Sequence, residues 1–311
     1  MKRKRAVAKD VYTLSDLKDW PKITKDVDPP IRLGVFGDPV KHSSSPQIQN
    51  AALRHCKIAM QYARFHIPLN ELREALEAVR KADFIGFNLT IPHKVAAVKI
   101  ADRVDEGAKR IGAINVLKVE NGKFHGFNTD GRGFSRAIRE EFSVDLRDLR
   151  VMVLGAGGAA RAIALECAKA NCERLVIANG TLEKGKLLAD KLRDFFQGPK
   201  VLGPVPRLQA IPWEENAFRF QIANIDLIVN ATPVGLNRGD PSPIASRLLA
   251  PHLLVYDTLY SAQRTPLVSA ALEAGARTAN GLSMLLYQGA LAFEIWFERE
   301  APVEVMRRAL L

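Results

Sequence analysis

Apolar positions along this chain recur with two different periods, and the periods alternate. Residues 31–37 (IRLGVFG), 60–68 (MQYARFHIP) and 84–90 (FIGFNLT) are short apolar or alternating runs, the pattern of strands. Residues 45–56 (SPQIQNAALRHC) and 70–82 (NELREALEAVRKA) repeat their apolar positions every three to four residues and predict helices. Ser45 is a candidate N-cap for the first, with Pro46 at its first helical position. A further helix is expected over PHKVAAVKIA, and this strand–helix alternation implies a parallel sheet. Residues 114–128 depart from it: two apolar stretches flank Asn121-Gly122, the signature of a hairpin.

A second series starts at Arg150. Residues 151–170 read as strand, glycine turn and helix; 174–180 as strand; 182–196 as helix. Residues 225–235 and 253–260 add two strands, 265–276 a helix and 276–281 a short last strand. Residues 198–221 are Pro-rich without clear periodicity and receive no assignment. The most apolar stretch, 281–297, contains Gln288 and Glu294 and is too short for a comfortable membrane span, so a buried helix is expected. With 311 residues, two domains are expected.

Composition changes this picture little. The net charge of +11 includes four charges from Lys2, Arg3, Lys4 and Arg5, which read as an unstructured basic arm. The other basic residues are interspersed with acids and show no aromatic-interleaved patch, so neither nucleic acid nor membrane is an expected partner. No apolar stretch follows the basic start, so no signal peptide is read. Cys56, Cys167 and Cys172 form no CxxC pair and no zinc spacing; reduced thiols in a cytoplasmic protein, with no metal, are expected. A homodimer is left open.

The candidate chemistry lies at strand ends. Gly155, Gly157 and Gly158 in VLGAGGAAR follow a strand and open a helix, with Ala160 at the last position of the dinucleotide fingerprint. Gly155 suits a tight turn, Gly157 the approach of a pyrophosphate, and the helix start offers N–H groups and a positive dipole end. At the end of the next strand stand Asn179, Gly180 and Thr181, with Lys184 in the following turn. No acid is present to hold the ribose hydroxyls of NAD, so NADP is favoured, against the plainer reading of a turn and a solvated lysine. In the first half, polar clusters sit at strand ends: Ser43 and Ser45, then Asn88 and Thr90 before Lys94, then Thr129 and Asp130; the neutral hydroxyl and amide groups among them suit a polyhydroxylated ligand. Ser45, Thr90 and Asp130 are equally eligible as helix caps. In NLTIPHK, Pro92 breaks the strand and brings Lys94 into the opening turn of a helix. A lysine there, partly desolvated, suits proton transfer, with Asp130 as its candidate partner; a solvated surface lysine is the alternative.

In order, GDPVKHSSSP, NLTIPHK, GAINV, GFNTDG, GAGGAAR, NATPVGL, YDTLY and NGLSMLLYQGALAF resemble the motifs of the shikimate dehydrogenase family over about residues 31–298. The resemblance implies an α/β fold. After a peripheral extension over 1–30 would come a substrate-binding catalytic domain over 31–130 and a Rossmann-type dinucleotide-binding domain over 131–281. Helices over 282–311 would return to the first domain. It implies reversible NADPH-dependent reduction of 3-dehydroshikimate to shikimate, in aromatic amino-acid biosynthesis. By motif, Ser43 and Ser45 would bind the substrate carboxylate. Asn88, Thr90, Asn115 and Asp130 would bind its hydroxyls, and Tyr260 and Gln288 would also reach it. Lys94 with Asp130 would carry the acid–base step. Gly155, Ala156, Gly157, Gly158, Ala159, Asn179, Thr181, Lys184 and Gly281 would hold the cofactor.

Three positions depart from the family pattern. Gly180 stands where NADP-using members carry arginine, which keeps NAD open. Val116 replaces a usual threonine, and His93 a usual apolar residue; His93 is expected to be solvated. A quinate or dual-specificity dehydrogenase shares these motifs, and a non-catalytic ligand sensor on the same scaffold is the alternative of a different class.

Overall fold

The computed structural model describes residues 9–197, 205–237, 239–260 and 263–311. The basic arm and part of the unassigned 198–221 stretch lie outside these residues. The chain divides into two compact units, one running up to Thr129 and resuming over Gln288–Leu311, the other Asp130–Tyr287.

The first unit opens with β1 (Val11–Thr13), α1 (Leu14–Lys18) and α2 (Trp20–Ile23). There follow β2 (Ile31–Gly37), α3 (Ser45–His55), β3 (Gln61–His66), α4 (Leu72–Arg80), β4 (Gly86–Leu89) and α5 (His93–Ala96). Then come β5 (Arg103–Val104), α6 (Glu106–Ile111), β6 (Val116–Glu120) and β7 (Lys123–Phe127). The strands form one sheet in the order β1-β3-β2-β4-β6-β7-β5. The expected parallel sheet is in fact mixed: β1, β3, β2 and β4 run parallel, but β6 is antiparallel to both β4 and β7. The hairpin is the physical reason, since a two-residue turn reverses the chain. At its tip Asn121 and Gly122 have φ of 52° and 70°, as a type I′ turn requires.

The expected peripheral extension is, from residue 11 on, part of this sheet and its core. Val11–Thr13 pair with Arg64–His66 of β3. Thr13 and Asp16 form a capping box that starts α1, with Thr13 N–H donating to Asp16 Oδ2 at 3.0 Å. Tyr12 and Trp20 join an aromatic cluster with Phe36, Phe65, Phe84 and Phe87. The Trp20–Phe84 ring centroids are 5.1 Å apart, and those of Phe36 and Phe87 4.5 Å.

The second unit comprises α7 (Asp130–Phe142), β8 (Arg150–Leu154), α8 (Gly158–Lys169), β9 (Arg174–Asn179) and α9 (Leu182–Leu192). It continues with β10 (Leu208–Pro212), α10 (Glu215–Ile222), β11 (Leu227–Asn230), β12 (Leu254–Asp257), α11 (Pro266–Glu273) and β13 (Arg277–Ala279). The unassigned stretch thus supplies a strand and a helix. All six strands are parallel in the order β10-β9-β8-β11-β12-β13. Counted along the chain this is 3-2-1-4-5-6, the doubly wound dinucleotide-binding order, with its switch point between β8 and β11. None of the three cysteines forms a disulfide.

The chain ends in α12 (Leu282–Phe297) and α13 (Val303–Arg308). From Gln288 onward α12 belongs to the first unit. There Gln49 Nε2 donates to the Gly289 carbonyl (2.8 Å) and Trp296 Nε1 to that of Leu117 (3.0 Å). Among the described residues no helix is long and apolar enough to cross a membrane.

Candidate active site

The carboxyl ends of β2 and β4 lie side by side, because the two strands are neighbours in the first sheet. Their loops are stitched together: Asp38 N–H donates to the Ile91 carbonyl at 2.9 Å and Thr90 N–H to that of Phe36 at 2.9 Å. The β2 loop carries Ser43 and Ser45. Ser45 N–H bonds Ser43 Oγ at 3.3 Å, and the Arg64 guanidinium donates twice to the Ser43 carbonyl, at 3.0 and 2.8 Å. Ser45 is not the helix cap. Ser44 holds that position without a side-chain bond, so Ser45 and Pro46 fall inside the first turn of α3. The hydroxyl expected to end a helix therefore sits on its opening turn.

Asn88, Asn115 and Gln288 are brought into one buried network. Asn88 Oδ1 accepts from Tyr62 Oη at 2.7 Å, and its Nδ2 donates to the Asn115 carbonyl at 3.3 Å. Asn115 Nδ2 donates to Thr129 Oγ1 at 2.9 Å and to Gln288 Oε1 at 3.2 Å, while its Oδ1 accepts Thr129 N–H at 2.8 Å. Gln288 thus accounts for the polar position inside an apolar helix. Tyr62 was not among the candidate residues. Its only sequence signal is its place on the alternating strand β3, where any apolar side chain would fit the pattern equally well.

Lys94 is the second residue of α5, after Pro92 as N-cap, and is half-buried. Its carbonyl accepts Ile114 N–H at 2.8 Å, which ties α5 to the start of β6. The helix predicted here is only four residues long before it tightens into a 3₁₀ turn, so its dipole contributes little. Asp130 belongs to the second unit, where it is buried as the first residue of α7; Tyr260, after β12, and Gly281, before α12, lie in that unit too.

His93 is the clear correction: it is fully buried, not solvated. Its Nε2 lies 2.8 Å from the Ile67 carbonyl, and its Nδ1 has no hydrogen-bond partner. Burial pushes its pKa below the ordinary histidine value, against smaller opposing effects of the Ile67 bond and of Asp38. A histidine depressed in the folded state favours folding fully above its unfolded pKa of about 6.5, and that contribution is lost as pH falls through the folded value. His93→Phe should therefore lose less stability than the parent between pH 7.5 and 5.5. Denaturant midpoints of both proteins at the two pH values check this, and equal losses would refute it.

In the second unit the glycine turn follows β8 at the switch point. Gly155 has φ of 111°, and a Cβ there would meet the Ala231 carbonyl oxygen and Thr232 Cγ2 at 3.0 Å, so only glycine fits. Gly157 is the N-cap of α8 and is exposed, with nothing within 4 Å of where its Cβ would be. With the leading N–H groups of Gly158 and Ala159 beside it, and Ala156 buried beneath, this is an open cradle that fits a pyrophosphate. At the end of β9, Asn179 Nδ2 donates to the Thr181 carbonyl at 2.8 Å, so that amide shapes the turn. Thr181 and Lys184 are exposed, and Lys184 makes no ion pair among the described residues. No atom lies within 4 Å of a Cβ placed on Gly180.

Comparison with known proteins agrees with this arrangement. Residues 35–117 match the shikimate dehydrogenase substrate-binding domain, 136–200 the shikimate/quinate 5-dehydrogenase domain and 281–311 the shikimate 5′-dehydrogenase C-terminal domain. The NADP(+) shikimate dehydrogenase of Methanopyrus kandleri is 40% identical over 281 residues, covering 90% of this chain and 94% of the relative. A shikimate dehydrogenase solved in complex with NADP+ superposes with a TM-score of 0.79 at 35% identity, covering 89% of this chain and 93% of that one. The Thermus thermophilus enzyme, solved with NADP(H) and shikimate, gives 0.77 at 34% identity, covering 90% and 98%. A first unit with a buried amide network, a second with the doubly wound strand order and this degree of identity over nine-tenths of the chain lead to one assignment: the chain belongs to the shikimate dehydrogenase family.

Proposed function

We propose that this chain catalyses the reversible, NADP-dependent reduction of 3-dehydroshikimate to shikimate, as a cytoplasmic enzyme of aromatic amino-acid biosynthesis. The observation that carries the reading is the buried network of Asn88, Asn115 and Gln288. Neutral donors and acceptors locked in place suit a ring bearing several hydroxyls. In this reading Thr90, Asn88, Asn115 and Gln288 bind the ring hydroxyls, Ser43 and Ser45 hold the carboxylate, and Tyr260 contributes from the loop after β12.

The turn 155–159, with Asn179, Thr181, Lys184 and Gly281, would hold NADPH, which when bound would supply the hydride. The chain's own residues handle the proton. As the C3 carbonyl is reduced, the Lys94 ammonium stabilises the developing alkoxide and donates its proton to it; in the oxidising direction the neutral amine takes the proton back. Asp130 is the carboxylate of the pair. Steady-state rates with shikimate and quinate, each with NADP and NAD, test the proposal. The highest kcat/KM is expected for shikimate with NADP, and a higher value for quinate with NAD would overturn it.

Gly180 is the observation that favours some use of NAD, since no guanidinium stands at the end of β9. The open space around it makes a direct prediction. Gly180→Arg should fit without a clash and strengthen NADP binding by about tenfold relative to NAD, the worth of one charge-assisted contact. Dissociation constants for both dinucleotides check this; an unchanged ratio would place the 2′-phosphate elsewhere.

A further inference from the structure

The carboxyl edge of the second sheet holds a fully buried carboxylate, Asp257, at the end of β12. Its Oδ2 accepts Thr265 Oγ1–H at 2.6 Å; its Oδ1 accepts Asn230 Nδ2–H at 3.0 Å and Leu259 N–H at 3.1 Å. Burial raises its pKa, and these three donors oppose the rise. Asn230, equally buried at the end of β11, extends the network. Its Nδ2 also reaches the Val234 carbonyl at 3.1 Å, and its Oδ1 accepts Thr232 N–H at 3.1 Å and Thr232 Oγ1–H at 2.7 Å. Thr265 is the N-cap of α11 and accepts Val268 N–H at 3.3 Å. One carboxylate thus gathers the loops that follow two adjacent strands.

Those loops are the ones against which the two cofactor-facing glycines pack. Gly155 closes on Ala231 and Thr232, both in the β11 loop. Gly281 closes on the β12 loop: its N–H bonds the Leu259 carbonyl at 3.1 Å, and a Cβ on it would lie 2.1 Å from the Thr258 carbonyl oxygen. A continuous path of contacts therefore runs from the glycine turn through Thr232, Asn230, Asp257 and Leu259 to Gly281.

We propose that Asp257, with Asn230 and Thr265, is a positioning device that sets the separation between the glycine turn after β8 and the backbone around Gly281, so that a dinucleotide is held at its pyrophosphate and at its nicotinamide together. The inference rests on the cofactor reading above. The network requires an acceptor-only group at position 257. All three partners donate to it, and the Thr265 hydroxyl, which already accepts from Val268, must direct its proton there. An amide in place of the carboxylate turns an N–H towards one of these donors.

The test titrates NADP and adenosine 2′,5′-bisphosphate, which lacks the pyrophosphate and the nicotinamide, against the parent, Asp257→Asn, Thr265→Val and Thr265→Ser. Asp257→Asn and Thr265→Val should each weaken NADP about tenfold or more while leaving the bisphosphate within about twofold; Thr265→Ser should bind both as the parent does. Thr265→Val keeps the carboxylate and decides the matter if Asp257→Asn does not fold. Equal loss of both ligands, or loss of neither, overturns the proposal. A parent that binds no dinucleotide overturns the cofactor reading as well, which separates the two failures.

Discussion

Replacing Lys94 by methionine should lower kcat about 10²–10⁴-fold while KM for shikimate changes little. Methionine keeps the length and apolar stem of a half-buried side chain and removes only the ammonium. If Lys94 stabilises charge and moves a proton only as the carbonyl is reduced, its loss is felt in the transition state and not in substrate binding. The backbone of α5 should hold, because its anchor is the Lys94 carbonyl bonded to Ile114 N–H, which no side-chain change removes. Lys94→Arg keeps a positive charge but surrenders no proton near neutrality, so it too should bind shikimate with little change in KM and turn it over slowly. Near-normal rates in Lys94→Met would return this lysine to a surface role.

A large loss of stability is expected from one methyl group on Gly86. A Cβ at this buried position of β4 would lie 2.1 Å from Trp296 Nε1 and 2.6 Å from the Leu117 carbonyl oxygen. Those two atoms are themselves hydrogen-bonded at 3.0 Å, the bond by which the far end of α12 is fixed to the sheet. Gly86→Ala must displace the indole and so adds overpacking to a broken buried bond, together about 3 kcal/mol. Trp296→Phe, which leaves room but removes the N–H, should cost less. Urea denaturation followed by circular dichroism ranks the variants; a change under about 0.5 kcal/mol in Gly86→Ala would show that the indole moves freely.

The parts of the molecule legible in the sequence are those encoded locally. β2 coincides with residues 31–37, and the Asn121-Gly122 turn is a hairpin tip because both residues tolerate positive φ. The glycine turn is legible because strand, turn and helix are contiguous in the chain, while its place at the switch point follows from β8 lying between β9 and β11. What was not legible depends on distant partners. His93 looked solvated beside a lysine, yet its environment is set by Ile67, 26 residues away. Tyr62 joins the amide network only because β3, β2 and β4 are adjacent. β1 and α1 span three and five residues, too few for a period to declare itself, and the basic run just before them suggested an arm. β10 is half-exposed at a sheet edge, so its alternation is blurred.

That short first strand has a consequence for how the molecule behaves among its own copies. A sheet is open to foreign strands only along its two outer margins, where N–H and C=O groups await partners. Here one margin is β1, three residues long, and the other β5, two residues long. Without β1 the margin would be β3, six residues long, with Phe65 along it. By laying Val11–Thr13 over that ladder, the N-terminal segment leaves an incoming chain little template along the margins of this sheet, as well as adding to its core.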